Sequence, residues 1–196
     1  MNRYSKLTLA ILIAGAALGG FGTSLSEPAA SRTIDTLRSS ITVRVFKTGL
    51  FATFAHNHTI RAPIREGTSD GSAVELVVDS RKLTVADSGI SDKDRAEIQH
   101  TMLGPGVLDS QRFLEIRFRS TSMKQLAPGK WQVQGELSLH GETKPVMVDV
   151  SGDGSHYTGE ARLKQTSFGI TPISLAAGTV TVKDEVVVEF EVVLTK

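Results

Sequence analysis

The most unusual chemical feature of this 196-residue chain is a pair of histidines, His56 and His58, on either side of Asn57. Residues two apart in a β-strand point to the same face, so both imidazoles would face the same way. Two imidazoles can hold a divalent metal when a third ligand comes from elsewhere, and His100 is the best candidate. The competing interpretation is polar residues at a barrel mouth, hydrogen-bonded to backbone or water. The metal site, with or without enzymatic activity, is therefore the alternative hypothesis.

The rest of the chain gives little support for catalysis or for a charged partner. No H-E-x-x-H or G-x-x-x-x-G-K-[ST] pattern occurs, and no spacing places a histidine and an acid beside a serine. The absence of cysteine excludes disulfides and thiolate metal sites. The formal net charge is +1, and no basic run with interleaved aromatic residues occurs. We therefore expect a protein that is not an enzyme and has no nucleic-acid partner.

The N-terminal residues have the layout of a secretory signal peptide. Arg3 and Lys6 precede an apolar run from Leu7 to Leu18, and small residues follow. The run is shorter than the roughly 20 residues that span a bilayer. We expect cleavage after Gly22 or Ser26, so that residues 1–26 are removed and the mature protein is periplasmic or secreted with no membrane span. The alternative is an uncleaved N-terminal anchor.

The stretch from Trp131 to Val150 predicts an antiparallel hairpin. Apolar and polar residues alternate from Trp131 onward and again up to Val150, so each run has one buried and one solvated face. The turn is predicted over residues 141–145, which include a glycine and a proline. Gly135 falls on the inward face, where the missing side chain would let a ligand chain pass close to the wall.

One helix interrupts the strands. The Ser91 hydroxyl can accept a hydrogen bond from the backbone three residues later, and Asp94 lies in the first turn, where the helix dipole is positive. Ile98 and Met102 share a face four residues apart, and glycines at 104 and 106 end the segment. We expect this helix to lie over one opening of a sheet structure.

The remaining pattern indicates an all-β fold. Seven or eight alternating runs recur mostly about ten residues apart, without helices between successive strands, so parallel β-α-β units are excluded. An up-and-down barrel and a two-sheet sandwich stay open. The barrel is favoured because closure removes unpaired strand edges. The phenylalanines could fill its core or line a pocket, and a neutral apolar pocket would need a long ligand, roughly ten carbons or more.

Four segments, in order, give the chain a resemblance to a known family: GLFATFAHNHTIRA, LDSQRFLEIRFRST, VQGELSLHGETKPVMVDV, and TSFGITPIS with the closing VKDEVVVEFEVVL. The third is the most specific, because it carries a G-x-L-x-x-x-G-x-T-K-P-V hairpin. From about Thr33 to Leu194 the chain resembles the YceI family of exported lipocalin-like proteins. Two departures are the His56–His58 pair, where many members have one histidine before Leu-Gly, and Phe113-Leu114 in place of Tyr-Pro.

The resemblance implies a fold and a ligand. The fold is an eight-stranded antiparallel up-and-down barrel, here with one short covering helix, formed by residues 32–196. The ligand is a long isoprenoid or quinone-type lipid inside the barrel, with no other cofactor, and a homodimer is compatible with the sequence. Residues expected to line the ligand are Phe46, Phe51, Phe54, Phe118, Val133, Leu137 and Phe168.

Overall fold

The computed structural model describes residues 30–48, 57–175 and 180–196. Within these ranges the strands are β1 (Arg32–Thr33), β2 (Ser40–Thr48), β3 (His58–Arg61), β4 (Ile64–Ser69), β5 (Val74–Asp79), β6 (Thr84–Val85), β7 (Glu115–Ala127), β8 (Lys130–Leu139), β9 (Glu142–Asp153), β10 (His156–Lys164), β11 (Ser174–Leu175) and β12 (Val180–Val193). Helix α1 spans Asp92–Leu103, and two 3-10 helices span Ser80–Lys82 and Gln165–Phe168.

The strands form one antiparallel sheet that curls round on itself. Neighbours follow the order β1-β4-β5-β7-β8-β9-β10-β12-β2-β3-β6, with β11 beside β12. Ile34 bridges Leu194, and the Asp35 N–H donates to the Val193 carbonyl at 2.8 Å. The backbone after β1, the first strand in the order, therefore lies beside the end of β12. For the described residues, the predicted all-β antiparallel fold with one α-helix is confirmed.

The strand count is twelve in the described residues rather than the predicted eight. Irregular backbone at 34–39, 62–63 and 80–83 separates β1 from β2, β3 from β4 and β5 from β6. At the second of these breaks Pro63 lacks the N–H that a strand pair uses. At the third, the Asp79 side chain accepts from the Arg81 backbone N–H and starts a 3-10 helix. Such short interruptions leave the alternation of the sequence almost unchanged, so the pattern does not show them.

The predicted hairpin is confirmed, but its turn is shorter than expected. Strands β8 and β9 pair from Trp131–Val150 to Leu139–Glu142. His140 and Gly141 make the turn, with φ values of 53° and 81°. Positive φ at both central residues is the geometry of a two-residue type I′ turn, whose twist matches that of the strands. The expected turn over 141–145 is therefore wrong, and its proline lies within β9.

Helix α1 begins and ends as predicted. The Asp94 N–H donates to the Ser91 hydroxyl at 3.1 Å, and the last helical residue is followed by Gly104. Ile98 and Met102 pack against the buried core. Gln99 fastens the helix to the sheet, because its Oε1 accepts from the Val85 N–H at 2.8 Å. The helix thus covers one end of the curled sheet, which we call the α1 end.

Two hydrogen-bonded carboxylates, those of Asp79 and Asp184, make the fold sensitive to acid. Hydrogen bonds from the Arg81 guanidinium lower the pKa of Asp79 from 3.8 to about 2. The backbone N–H of Thr166 lowers the pKa of Asp184 below its ordinary 3.8. A carboxyl group with a lowered pKa stabilises the folded state above its unfolded pKa, and this contribution is lost as the pH falls through the folded pKa.

We therefore expect the free energy of unfolding to fall as the pH is lowered from about 4 to about 2. Urea unfolding followed by circular dichroism across this range measures the slope. Asp79→Asn should flatten part of it, and Arg81→Met should flatten the same part because it removes the hydrogen bonds that lower the Asp79 pKa. The interpretation is wrong if both variants keep the wild-type slope.

Candidate ligand-binding site

An apolar cavity of about 340 Å³ lies inside the curled sheet. Inward-facing side chains of β2, β7, β8, β9 and β12 form its walls, among them Val43, Phe118, Leu137, Val148 and Val188. These positions alternate along each strand with outward-facing ones, most of which are polar, as the period of a half-buried strand requires. The cavity therefore presents hydrocarbon over nearly all of its surface, which suits an apolar ligand.

The two ends of the cavity differ. At the end formed by the short hairpin turns, Trp131 and Tyr157 line it with their rings in an edge-to-face arrangement, 5.8 Å between centroids. At the α1 end, Met102, Val107 and Leu108 contribute to the lining. The helix and the segment that follows it therefore contribute apolar side chains to the cavity at this end.

The residues that the family resemblance predicts to line the ligand fall into three groups: those that line the cavity, those that do not, and those outside the described residues. Phe118, Val133 and Leu137 line the cavity. Phe168 is buried in the core, 2% exposed, and is not among the lining residues. Phe46 is not among them either, since it points to the opposite face of β2 from Val45. Phe51 and Phe54 lie outside the described residues, as does His56.

The space beside Gly135 is occupied by protein. A Cβ atom at this position would lie 2.5 Å from Phe118 Cζ and 2.7 Å from the Arg119 carbonyl oxygen. The glycine therefore accepts a phenylalanine ring from the neighbouring strand. The expectation that a ligand chain passes closest to the wall here is wrong. Aliphatic residues on the other inward positions form most of the wall, whereas the predicted lining residues were mainly phenylalanines.

His58, one of the three histidines of the alternative metal hypothesis, pairs with a carboxylate. His58 Nδ1 donates to Asp87 Oδ2 at 2.6 Å, and the Thr59 N–H donates to the other carboxylate oxygen at 2.6 Å. The Arg95 guanidinium donates to the backbone carbonyl of Asp87 at 2.6 Å. The carboxylate is almost fully buried, 4% exposed, and His58 is 13% exposed. This group joins β3, the segment after β6 and helix α1.

The alternative metal site of His56, His58 and His100 stays a hypothesis, because His56 lies outside the described residues. His100 lies exposed near the end of α1. In the ranges that the structure describes, no three histidine, cysteine, aspartate or glutamate side chains are placed to hold an ion. Sequence reasoning missed Asp87 because it lies 29 residues from its partner, in a loop with no distinctive pattern.

A short serine pattern also proves structural. Gly67-Thr68-Ser69-Asp70-Gly71 matches G-x-S-x-G, which in hydrolases marks a nucleophile on a turn from strand to helix. Here the motif runs from β4 into the turn before the antiparallel strand β5. The Ser69 hydroxyl accepts from the Gly71 N–H at 3.3 Å, so it supports the turn. The strand-to-helix geometry of a nucleophile is not present at this position.

Among the residues that the structure describes, α1 is the one α-helix, and no helix has the length and apolar character needed to cross a membrane.

Solved structures of related fold cover most of the chain. BcnA of Burkholderia cenocepacia superposes with a TM-score of 0.57 at 18% identity, covering 83% of this chain and 99% of that one. The YceI protein of Campylobacter jejuni gives a TM-score of 0.51 at 10% identity, covering 100% of this chain and 99% of that one. At these identities the likeness establishes the fold.

Sequence relatives point to the same family. A UPF0312 protein of Vibrio cholerae is 28% identical over 109 residues, and one of Vibrio vulnificus is 31% identical over 109 residues. Each alignment covers 50% of this chain and 53% of the relative, so the match spans about half the length of these curated proteins. The YceI-like domain family matches residues 33–194. With that match over most of its length, the chain belongs to the YceI family.

Proposed function

We propose that this protein is an exported binding protein that carries a long apolar lipid, of the isoprenoid or quinone type, inside its β-barrel. The observation that carries the proposal is the cavity of about 340 Å³ with hydrocarbon walls. Export is supported by the basic, apolar and small-residue segments of residues 1–26, which have the order of a signal peptide. Residues 32–196 would then form the mature lipid-binding domain, as a monomer or a homodimer.

The size of the cavity suits one chain-like ligand. Its volume, about 340 Å³, lies at the lower end of the roughly 300–1,000 Å³ that ligand pockets span. Burial contributes about 0.8 kcal/mol per methylene, which offsets an association cost on the order of 4–15 kcal/mol. A chain of fewer than roughly ten carbons would therefore bind weakly.

The first test is recovery of the ligand. Organic extraction of gently purified protein, followed by mass spectrometry, should yield a long-chain lipid in near-stoichiometric amount. Delipidated protein should then bind an apolar fluorescent probe in a titration. Repeated purification without lipid, together with no probe binding, would contradict the proposal.

A matched pair of variants tests whether binding takes place in the cavity. Val148 lines the cavity, and the next residue toward the N-terminus, Met147, is 43% exposed on the outer face of the same strand. Val148→Trp should fill part of the cavity and weaken probe binding at least about tenfold, a change of about 1.4 kcal/mol. Met147→Trp adds an indole outside and should bind as the wild type does. Equal affinities of the two variants would place the probe elsewhere.

A further inference from the structure

The inward face of the barrel changes from apolar to polar residues at the α1 end. Along β2, the residues Val43, Val45 and Lys47 share one face, and the two valines line the cavity. On the paired strand β3, Ile60 and His58 share the face that opposes them, since the register joins Val43 with Ile60 and Val45 with His58. Hydrocarbon therefore gives way to a lysine and a histidine within one more step along two adjacent strands.

His58 is bonded to a buried carboxylate, and Lys47 lies beyond Val45, the residue paired with His58, on the same face of β2. Asp87 accepts from His58 Nδ1 and from the backbone of the next residue, each at 2.6 Å. Lys47 is half-buried; burial lowers its pKa, while the negative charge of Asp87 acts in the opposite direction. The Lys47 backbone also contacts the residue before β3, because its N–H donates to Asn57 Oδ1 at 3.2 Å.

Hydrogen-bond chemistry defines what this pair can bind. An ionised carboxylate only accepts, so Nδ1 of His58 carries the proton that Asp87 holds. In the neutral imidazole Nε2 is then an acceptor, with its ring orientation fixed by the carboxylate. The amine of Lys47 donates whether or not it is protonated. A group that both accepts and donates, such as a hydroxyl, complements the two side chains together.

We propose that Lys47 and His58 form a head-group site at the α1 end of the cavity, which recognises a hydroxyl at the end of the carried chain. The hydroxyl oxygen accepts from Lys47, and its proton is donated to His58 Nε2. Asp87 is a positioning residue, because it acts through the histidine. The inference rests on the proposed function, since it assigns the polar end of a ligand whose chain occupies the cavity.

Three ligands of equal chain length separate the two contacts. A long-chain alcohol can donate and accept, its methyl ether can only accept, and the corresponding alkane can do neither. Each competes against an apolar fluorescent probe on the full-length mature protein. The wild type should bind the alcohol most tightly, then the ether, then the alkane, with about a fivefold step for each hydrogen bond.

Single variants should remove one step each. Lys47→Met keeps the length and apolar stem of the side chain, and should bring the ether to the affinity of the alkane. His58→Phe should remove the advantage of the alcohol over the ether. An unchanged affinity for the alkane shows that the cavity of a variant is intact. If His58→Phe fails to fold, Lys47→Met alone tests the head-group site. Lys124→Met, at an exposed position on β7, is the matched control and should keep both ratios.

Three results would overturn the proposal, and they differ in what else they affect. Equal binding of the three ligands by the wild type, or wild-type ratios in Lys47→Met, would reject the head-group site and leave the carriage of an apolar chain intact. Failure of every ligand and of the probe to bind would reject the proposed function and the head-group site together.

Discussion

Replacing Phe168 with alanine is expected to lower the free energy of unfolding by about 3–5 kcal/mol, the range for a fully buried phenylalanine. The ring is 2% exposed and packs in the core at the α1 end with Ile60 and Ile170. Its backbone has little freedom to collapse into the vacated space, because His140 Nδ1 donates to the Phe168 carbonyl at 3.0 Å. Asp184 also accepts two hydrogen bonds from Thr166 in the same 3-10 helix.

Urea unfolding followed by tryptophan fluorescence measures this loss. Phe46→Ala is the matched control, because it makes the same chemical change at a half-buried position that does not line the cavity. It should cost distinctly less than Phe168→Ala. Equal losses of unfolding free energy in the two variants would show that the buried Phe168 ring stabilises the core no more than the half-buried Phe46 ring does.

Gly135→Ala is expected to cost about 1–3 kcal/mol, although alanine is among the smallest of substitutions. The added methyl group would lie 2.5 Å from the Phe118 ring and 2.7 Å from the carbonyl oxygen of Arg119. The ring can rotate away, but the carbonyl belongs to a paired strand, so β7 and β8 must separate locally. Thermal unfolding measures the loss.

A second glycine provides the comparison. Around Gly106 no heavy atom lies within 4 Å of the position that a Cβ would take, and its φ is not in the left-handed region. Gly106→Ala should therefore be neutral or slightly stabilising, because alanine restricts the unfolded chain. If both glycine variants lose equal stability, the cause is backbone conformation rather than the contact with β7.

The elements that depend on neighbouring residues could be predicted from the sequence. Helix α1 has its cap, its first-turn charge and its terminating glycine within fourteen residues of chain, from Ser91 to Gly104. The strands of the β8–β9 hairpin follow from alternation alone. The turn of this hairpin does not follow from alternation. It requires His140 to adopt a positive φ, and the presence of a histidine in the sequence does not indicate that conformation.

The candidate site depended on distant residues and was predicted only in part. Alternation indicates which residues face inward, so Phe118, Val133 and Leu137 could be placed in the lining. It does not indicate which inward residues pack together, and Phe168 proved to be core. The partner of His58 is set by the pairing of β3 with β6, which brings Asp87 alongside. No local pattern encodes that register.

The contacts between residues 32–39 and the C-terminal residues have a consequence for how the protein folds. Arg32 Nε donates to the Thr195 carbonyl, a contact 163 residues apart in the chain, and Ser39 accepts from the Val193 N–H across 154 residues. The last strand pairs with β2 and β10 and is synthesised last. Such a topology has high contact order, so we expect slow folding. We expect the complete sheet to form only after the whole chain has left the ribosome.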